Sequence, residues 1–134
     1  MTPNKAYFHV WQSGTDESYV TKLAKAGLGG ALKRSDKSLG SKAPRRPESV
    51  WESAVVEWHS VFDEAPLRKL AANMAQVMRR IGRPDDLNIS LHIAVQVDWE
   101  LPHTGVPMST DTLRILADLE AALDIDIVPD LSPP

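Results

Sequence analysis

Apolar and polar positions alternate most cleanly from Ile89 to Trp99, where Ile89, Leu91, Ile93, Val95, Val97 and Trp99 interleave with Ser90, His92, Ala94, Gln96 and Asp98. Period-two alternation marks a strand with one buried and one water-facing side. It predicts a sheet covered by helices on one face and open on the other, paired mainly antiparallel. The most regular helical stripe is Leu67, Leu70, Ala71, Met74, Val77, Met78 and Ile81, preceded by Asp63-Glu64-Ala65-Pro66 and closed by Gly82. Acids and a proline suit a helix start, and a glycine suits its end.

The remaining elements follow from weaker patterns. Tyr7 to Gln12 is rich in aromatic and β-branched residues and is stopped by Ser13-Gly14, so it predicts a first strand. A short helix follows, capped by Thr15 or Asp16, with Val20, Leu23, Ala24 and Leu28 on one side and Gly27 as a stop. From about 29 to 48 periodicity is lost and Gly, Ser, Pro and cations accumulate, which predicts a basic flexible loop. Val50 to His59 predicts a strand or a hairpin. If that chain is unbroken, Trp51 and Trp58 point to opposite sides and one of them is partly exposed. Ser109 caps a helix expected to run to about Leu123, burying Leu113, Leu116, Ala117 and Leu123, and Asp124 to Val128 forms a last strand. Residues 130–134 are a frayed tail. This order of elements predicts an α+β fold, a two-layer sandwich of ferredoxin-like type with helices on one face, and residues 1–134 as one domain.

Composition narrows the chemistry. The 134 residues contain no cysteine, which excludes disulfides, thiolate nucleophiles and Cys-ligated metal sites. A first strand directly after the opening residues, and no apolar run near the ~20 residues of a membrane helix, predict a cytoplasmic protein away from membranes. The net charge of −3 argues against wholesale nucleic-acid binding, but it is unevenly spread. Thr21 to Arg46 holds Lys22, Lys25, Lys33, Arg34, Lys37, Lys42, Arg45 and Arg46 against Asp36, while the chain beyond Ser109 is acidic. The basic segment lacks the aromatics that stack on nucleic-acid bases.

None of His9, His59, His92 and His103 falls in an H-x-x-x-H or HExxH pattern, and no Gly-x-Ser-x-Gly elbow or P-loop is present. We therefore assign no catalytic residue, metal ligand or cofactor from the sequence. His9, His59 and His92 fall on separate predicted strands, where Glu57 and Asp98 can join them on the open face as a histidine–carboxylate cluster for acid–base work or ligand binding. Asp124 and Asp126, alternating with Ile125 and Ile127, offer a rim for a cationic partner. An exposed edge strand can also pair with a second copy, which leaves a homodimer open.

The segment Met108 to Ile127, with its serine-started helix and Leu123-Asp124-Ile125-Asp126-Ile127, resembles the end of a bacterial family of unknown function whose members finish in the same way. The early strand, the Leu28-Gly29 turn and Trp51 followed by Ser53 are similar as well, whereas Gly30-Ala31 stands where that family commonly has a proline. The resemblance implies a small bacterial α+β domain without established enzymatic activity, of the type found among immunity proteins that silence a cognate toxin. The function expected on this basis is a non-enzymatic protein-binding module that occludes a toxin. Its contact residues would be Trp51 or Trp58 as anchor, with Glu57, His59, His92, Gln96 and Asp98 around it on the open sheet face. The alternative is a small enzyme or ligand-binding domain using the histidines and carboxylates of that face.

Overall fold

The structure, a computed structural model, describes residues 3–13, 18–34, 48–59, 63–97 and 106–129. Its described elements run β1 (Asn4–Ser13), α1 (Ser18–Ala24), β2 (Ala31–Arg34), β3 (Glu48–Glu52), β4 (Val56–Trp58), α2 (Ala65–Ile81), β5 (Leu87–Val97), α3 (Thr110–Asp118) and β6 (Ala122–Pro129). The six strands form one open sheet in the order β2-β3-β1-β5-β6, with β4 also paired to β1. Pairing is antiparallel throughout except between β5 and β6, which run parallel because α3 carries the chain back across the sheet.

The alternating stretch forms β5 and occupies the sheet's interior. Leu87, Ile89, Leu91, Ile93, Val95 and Val97 are buried, and every intervening residue is at least partly exposed. Their antiparallel neighbours on β1, Ala6, Phe8 and Val10, are fully buried on the same side, where α2 lays down Leu67, Leu70, Ala71, Met74, Val77 and Met78. Val20 and Leu23 of α1 and Leu116 and Leu119 around the end of α3 complete this core. At about 25 cal/mol per Å² of apolar surface removed from water, burying one such Leu or Ile stabilises the fold by roughly 2 kcal/mol. Contact between β1 and β5 continues past their last paired residues, Lys5 and Ala94, because the buried Asn4 side chain accepts the Gln96 N–H at 2.8 Å.

Two expectations change, and the choice left open between one strand and two from Val50 to His59 is decided. The segment from 29 to 48 is not loop throughout: Ala31–Arg34 forms β2 as the hairpin partner of β3, whereas 35–47 lie outside the described residues. Cross-strand pairing overrides the missing periodicity there. The second strand region is interrupted, since β3 pairs with the second half of β1 and β4 with its start, separated by Ser53–Val55. Ser53 spans the break: its N–H donates to the Phe8 carbonyl at 2.9 Å, and its buried hydroxyl accepts the Phe8 N–H at 2.9 Å. That irregularity reverses the alternation, so Trp51 and Trp58 both turn to the core side, 0% and 7% exposed. Neither can serve as an exposed anchor. Among the described residues the Trp51 indole N–H has no hydrogen-bond partner.

The second change concerns α3, which ends at Asp118 rather than near Leu123. Glu120 adopts a left-handed conformation (φ 51°), its N–H bonds to the Ala117 carbonyl, and the Ala121 N–H reaches the Leu116 carbonyl. This Schellman closure stops the helix and frees Ala122 to start β6. The buried stripe of α3 is consequently Thr112 and Leu116 rather than Leu113, which is 47% exposed.

The starts of α2 and α3 are tied together. The Ser109 hydroxyl accepts the Thr112 N–H at 3.3 Å, capping α3, while the Ser109 N–H donates to the Glu64 carboxylate at the head of α2. Hydrogen bonds from the Ser109 hydroxyl and N–H hold the Glu64 carboxyl below its ordinary value of 4.5, with Arg68 adding attraction against some desolvation. At the other end of α2, the Tyr19 hydroxyl donates to the Gly82 carbonyl, and burial pushes that phenol up to about 12. Because folding lowers the Glu64 value, its contribution is complete above the unfolded carboxyl range and disappears as pH falls through the lowered value. Urea unfolding should therefore show Glu64→Gln less stable than the parent at about pH 7, with the gap closing toward about pH 3. A gap independent of pH would show that the carboxylate is not what joins the helices.

Candidate functional site

The residues between the buried ones on β1 and β5 form the face of the sheet that no described helix covers. Register fixes which of them meet. Glu52 on β3, His9 on β1 and Ser90 on β5 lie in one cross-strand row, and Tyr7 on β1, His92 on β5 and Asp124 on β6 lie in the next. Within the first row the His9 imidazole Nδ1 is 3.1 Å from a Glu52 carboxylate oxygen. In the second, His92 Nδ1 is 3.4 Å from an Asp124 oxygen. The Tyr7 and His92 rings stack 5.1 Å apart at 9°, and His9 meets His92 edge-on at 5.4 Å and 64°. The two rows thus share an aromatic platform of Tyr7, His92 and His9, with a carboxylate at either side.

Each imidazole is less than a third exposed, enough to be reached and enough to be held. Where Nδ1 meets a carboxylate in hydrogen-bond geometry, as at His9, a neutral ring is held in the tautomer that leaves Nε2 as the acceptor. This is the base-and-orienter half of an acid–base apparatus, and also a rigid patch of amphipathic rings suited to an interface. Among the described residues no group of three or more His, Asp or Glu is arranged to hold a metal ion. Farther along the face, Lys5 lies 3.9 Å from Glu57 across the β1–β4 pair, and Asp126 extends the carboxylates along β6. A cavity of about 420 Å³ borders the platform, lined by Tyr7, Gly30, Glu52, Ser53 and Val55.

Of the residues expected to contact a partner, His92 sits at the centre of the platform. Glu57 lies at its margin with Lys5, and Gln96 on the same side beyond Ala94. His59 is exposed just past β4, and Trp51 and Trp58 are in the core. Asp98 lies outside the described residues, as do Trp99 and His103. Tyr7 and Glu52 were not singled out by sequence reasoning. Tyr7 shares the parity of His9, which is a legible signal; Glu52 depends on the β1–β3 register, which is not.

Comparison of the chain with protein-family models, with curated proteins and with solved structures finds no match. Among the described residues no helix is long and apolar enough to cross a membrane.

Glu52 reaches His9 from a strand that packs unusually close to the turn before β2. Gly30 has φ 88°, and a Cβ there would lie 1.9 Å from the Glu52 carbonyl oxygen. Only glycine allows that approach. Gly30→Ala should cost at least about 2 kcal/mol in denaturant unfolding and shift the NMR signals of the His9 ring as β3 moves. Unchanged stability and an unchanged His9 environment would contradict this role.

Proposed function

We propose that the chain is a non-enzymatic protein-binding module that takes a basic surface of a partner onto its open sheet face, most concretely as a cytoplasmic immunity protein occluding a cognate bacterial toxin. The observation that carries this reading is the Tyr7–His92–His9 platform bordered by Glu52 and Asp124 on the sheet face that no described helix covers. An arginine stacked on the Tyr7–His92 pair would find a carboxylate within reach on either side. Tyr7 takes the anchoring role expected of a tryptophan, since aromatic residues concentrate binding energy at interface centres. We also read the scaffold as ferredoxin-like: the order β2-β3-β1-β5, with α1 and α2 as crossovers, supports it, and α3–β6 then extends the sheet by one strand.

A second reading has its own observation. His9 and His92 each have a carboxylate beside Nδ1, the arrangement that acid–base catalysis or small-ligand binding on the same face would use. A small-molecule thermal shift lost in His92→Ala would favour it.

For the preferred reading, the test is titration against a partner purified as a complex with this chain. Tyr7→Ala and Asp124→Arg should each weaken binding by at least about tenfold without changing thermal stability, and affinity should fall as salt rises. Equal affinity in both variants, or binding indifferent to salt, would overturn the proposal.

A further inference from the structure

The outer edge of the sheet at β6 carries a second binding feature. No described strand pairs with the side of β6 that faces away from β5. A strand paired on one side only leaves a row of backbone N–H and C=O groups open along the other, a template for another strand. The side chains on either side of that edge are sharply segregated. On the helix side, Leu123, Ile125 and Ile127 stand in register with Leu91, Ile93 and Val95, which are no more than 2% exposed, yet they are themselves 45%, 44% and 67% exposed. The apolar layer of the core thus continues past the cover of the helices to the last strand. On the open face, the same strand presents Asp124 and Asp126.

We infer that the free edge of β6 receives an extended segment of a protein partner in which apolar residues alternate with Lys or Arg. Such a strand would take the open backbone groups, set its apolar row against Leu123, Ile125 and Ile127, and set its cations beside Asp124 and Asp126. In the registers that pair most of the strand, charge favours this occupant over a second copy of the chain. Two-fold antiparallel pairing of β6 with itself about Ile125 would place Asp124 against the copy's Asp126 twice, and pairing about Asp124 or Asp126 would place that aspartate against itself. Like charges directly opposite destabilise a ladder. The acidic row that guards the edge against self-pairing is the same row that selects a basic strand. The inference rests on the reading of the chain as a protein-binding module; it shares Asp124 with the platform but not Tyr7, which lies on the other side of the sheet from Ile127.

The probe is a capped peptide of about nine residues alternating valine and lysine, matched to the strand's length. Two control peptides accompany it: one alternating valine and glutamate, the other the valine–lysine peptide N-methylated along one edge. The lysine peptide should bind and slow amide exchange along 122–128, and both controls should fail to do so. Ile127→Glu, at a position exposed enough to leave the fold intact, should weaken binding on the order of fivefold. Tyr7→Ala should leave peptide binding unchanged, so that retention in this variant upholds the edge even where the open-face reading fails. Equal binding of the lysine and glutamate peptides, unaltered exchange in β6, undiminished affinity in Ile127→Glu, or self-association of the parent chain through β6 would overturn the inference.

Discussion

The ladder between β1 and β5 is the constraint on which the other elements depend. Eight residues from Lys5 to Gln12 pair with eight from Leu87 to Ala94, and this register sets the face of every side chain along both strands. One set, Ala6, Phe8 and Val10 with Leu87, Ile89, Leu91 and Ile93, is removed from water beneath α1 and α2. The complementary set includes Tyr7, His9 and His92. A slip of one residue would bury the histidines and expose the aliphatic row, so burial of the core is also what holds the platform in place. The polar cluster needs no separate scaffold.

Around that ladder the chain departs from regularity at points where a local hydrogen bond or close approach compensates. Ser53 supplies a hydroxyl and an N–H where β3 gives way to β4, and Phe8 keeps both of its backbone groups paired. Gly30 lets the turn before β2 lie against the Glu52–Ser53 backbone, which no residue with a Cβ could do without displacement. Glu64 and Ser109 join the heads of two helices that belong to different crossovers. Each irregularity positions part of the open face or of the helical layer behind it.

Much of this was readable in the sequence because it is local. The alternation of β5, the stripe and Pro66 start of α2 and the Ser109 cap each depend on residues within one element. What was not readable depends on pairing between distant segments. β2 has little strand character of its own and exists through β3. The parity of Trp51 and Trp58 turned on a break at Ser53–Val55 that no periodicity announces, which moved both tryptophans from candidate anchors to core. The end of α3 was misplaced because Glu120, rather than a glycine, takes the left-handed position. For the site, three histidines on separate strands were a fair signal that two would meet. Their partners Glu52 and Asp124 followed only from register.

Along β5 a buried row that stabilises the fold alternates with a partly exposed row that no described helix covers. The most direct test is residue-by-residue substitution along β5, read by denaturant unfolding. Leu91→Ala, Ile93→Ala and Val95→Ala should each cost about 2–4 kcal/mol, whereas Ser90→Ala, His92→Ala and Gln96→Ala should stay within about 1 kcal/mol. A saw-tooth of that kind is the predicted result; comparable losses in both rows would mean that the second face is covered too, and would contradict the account.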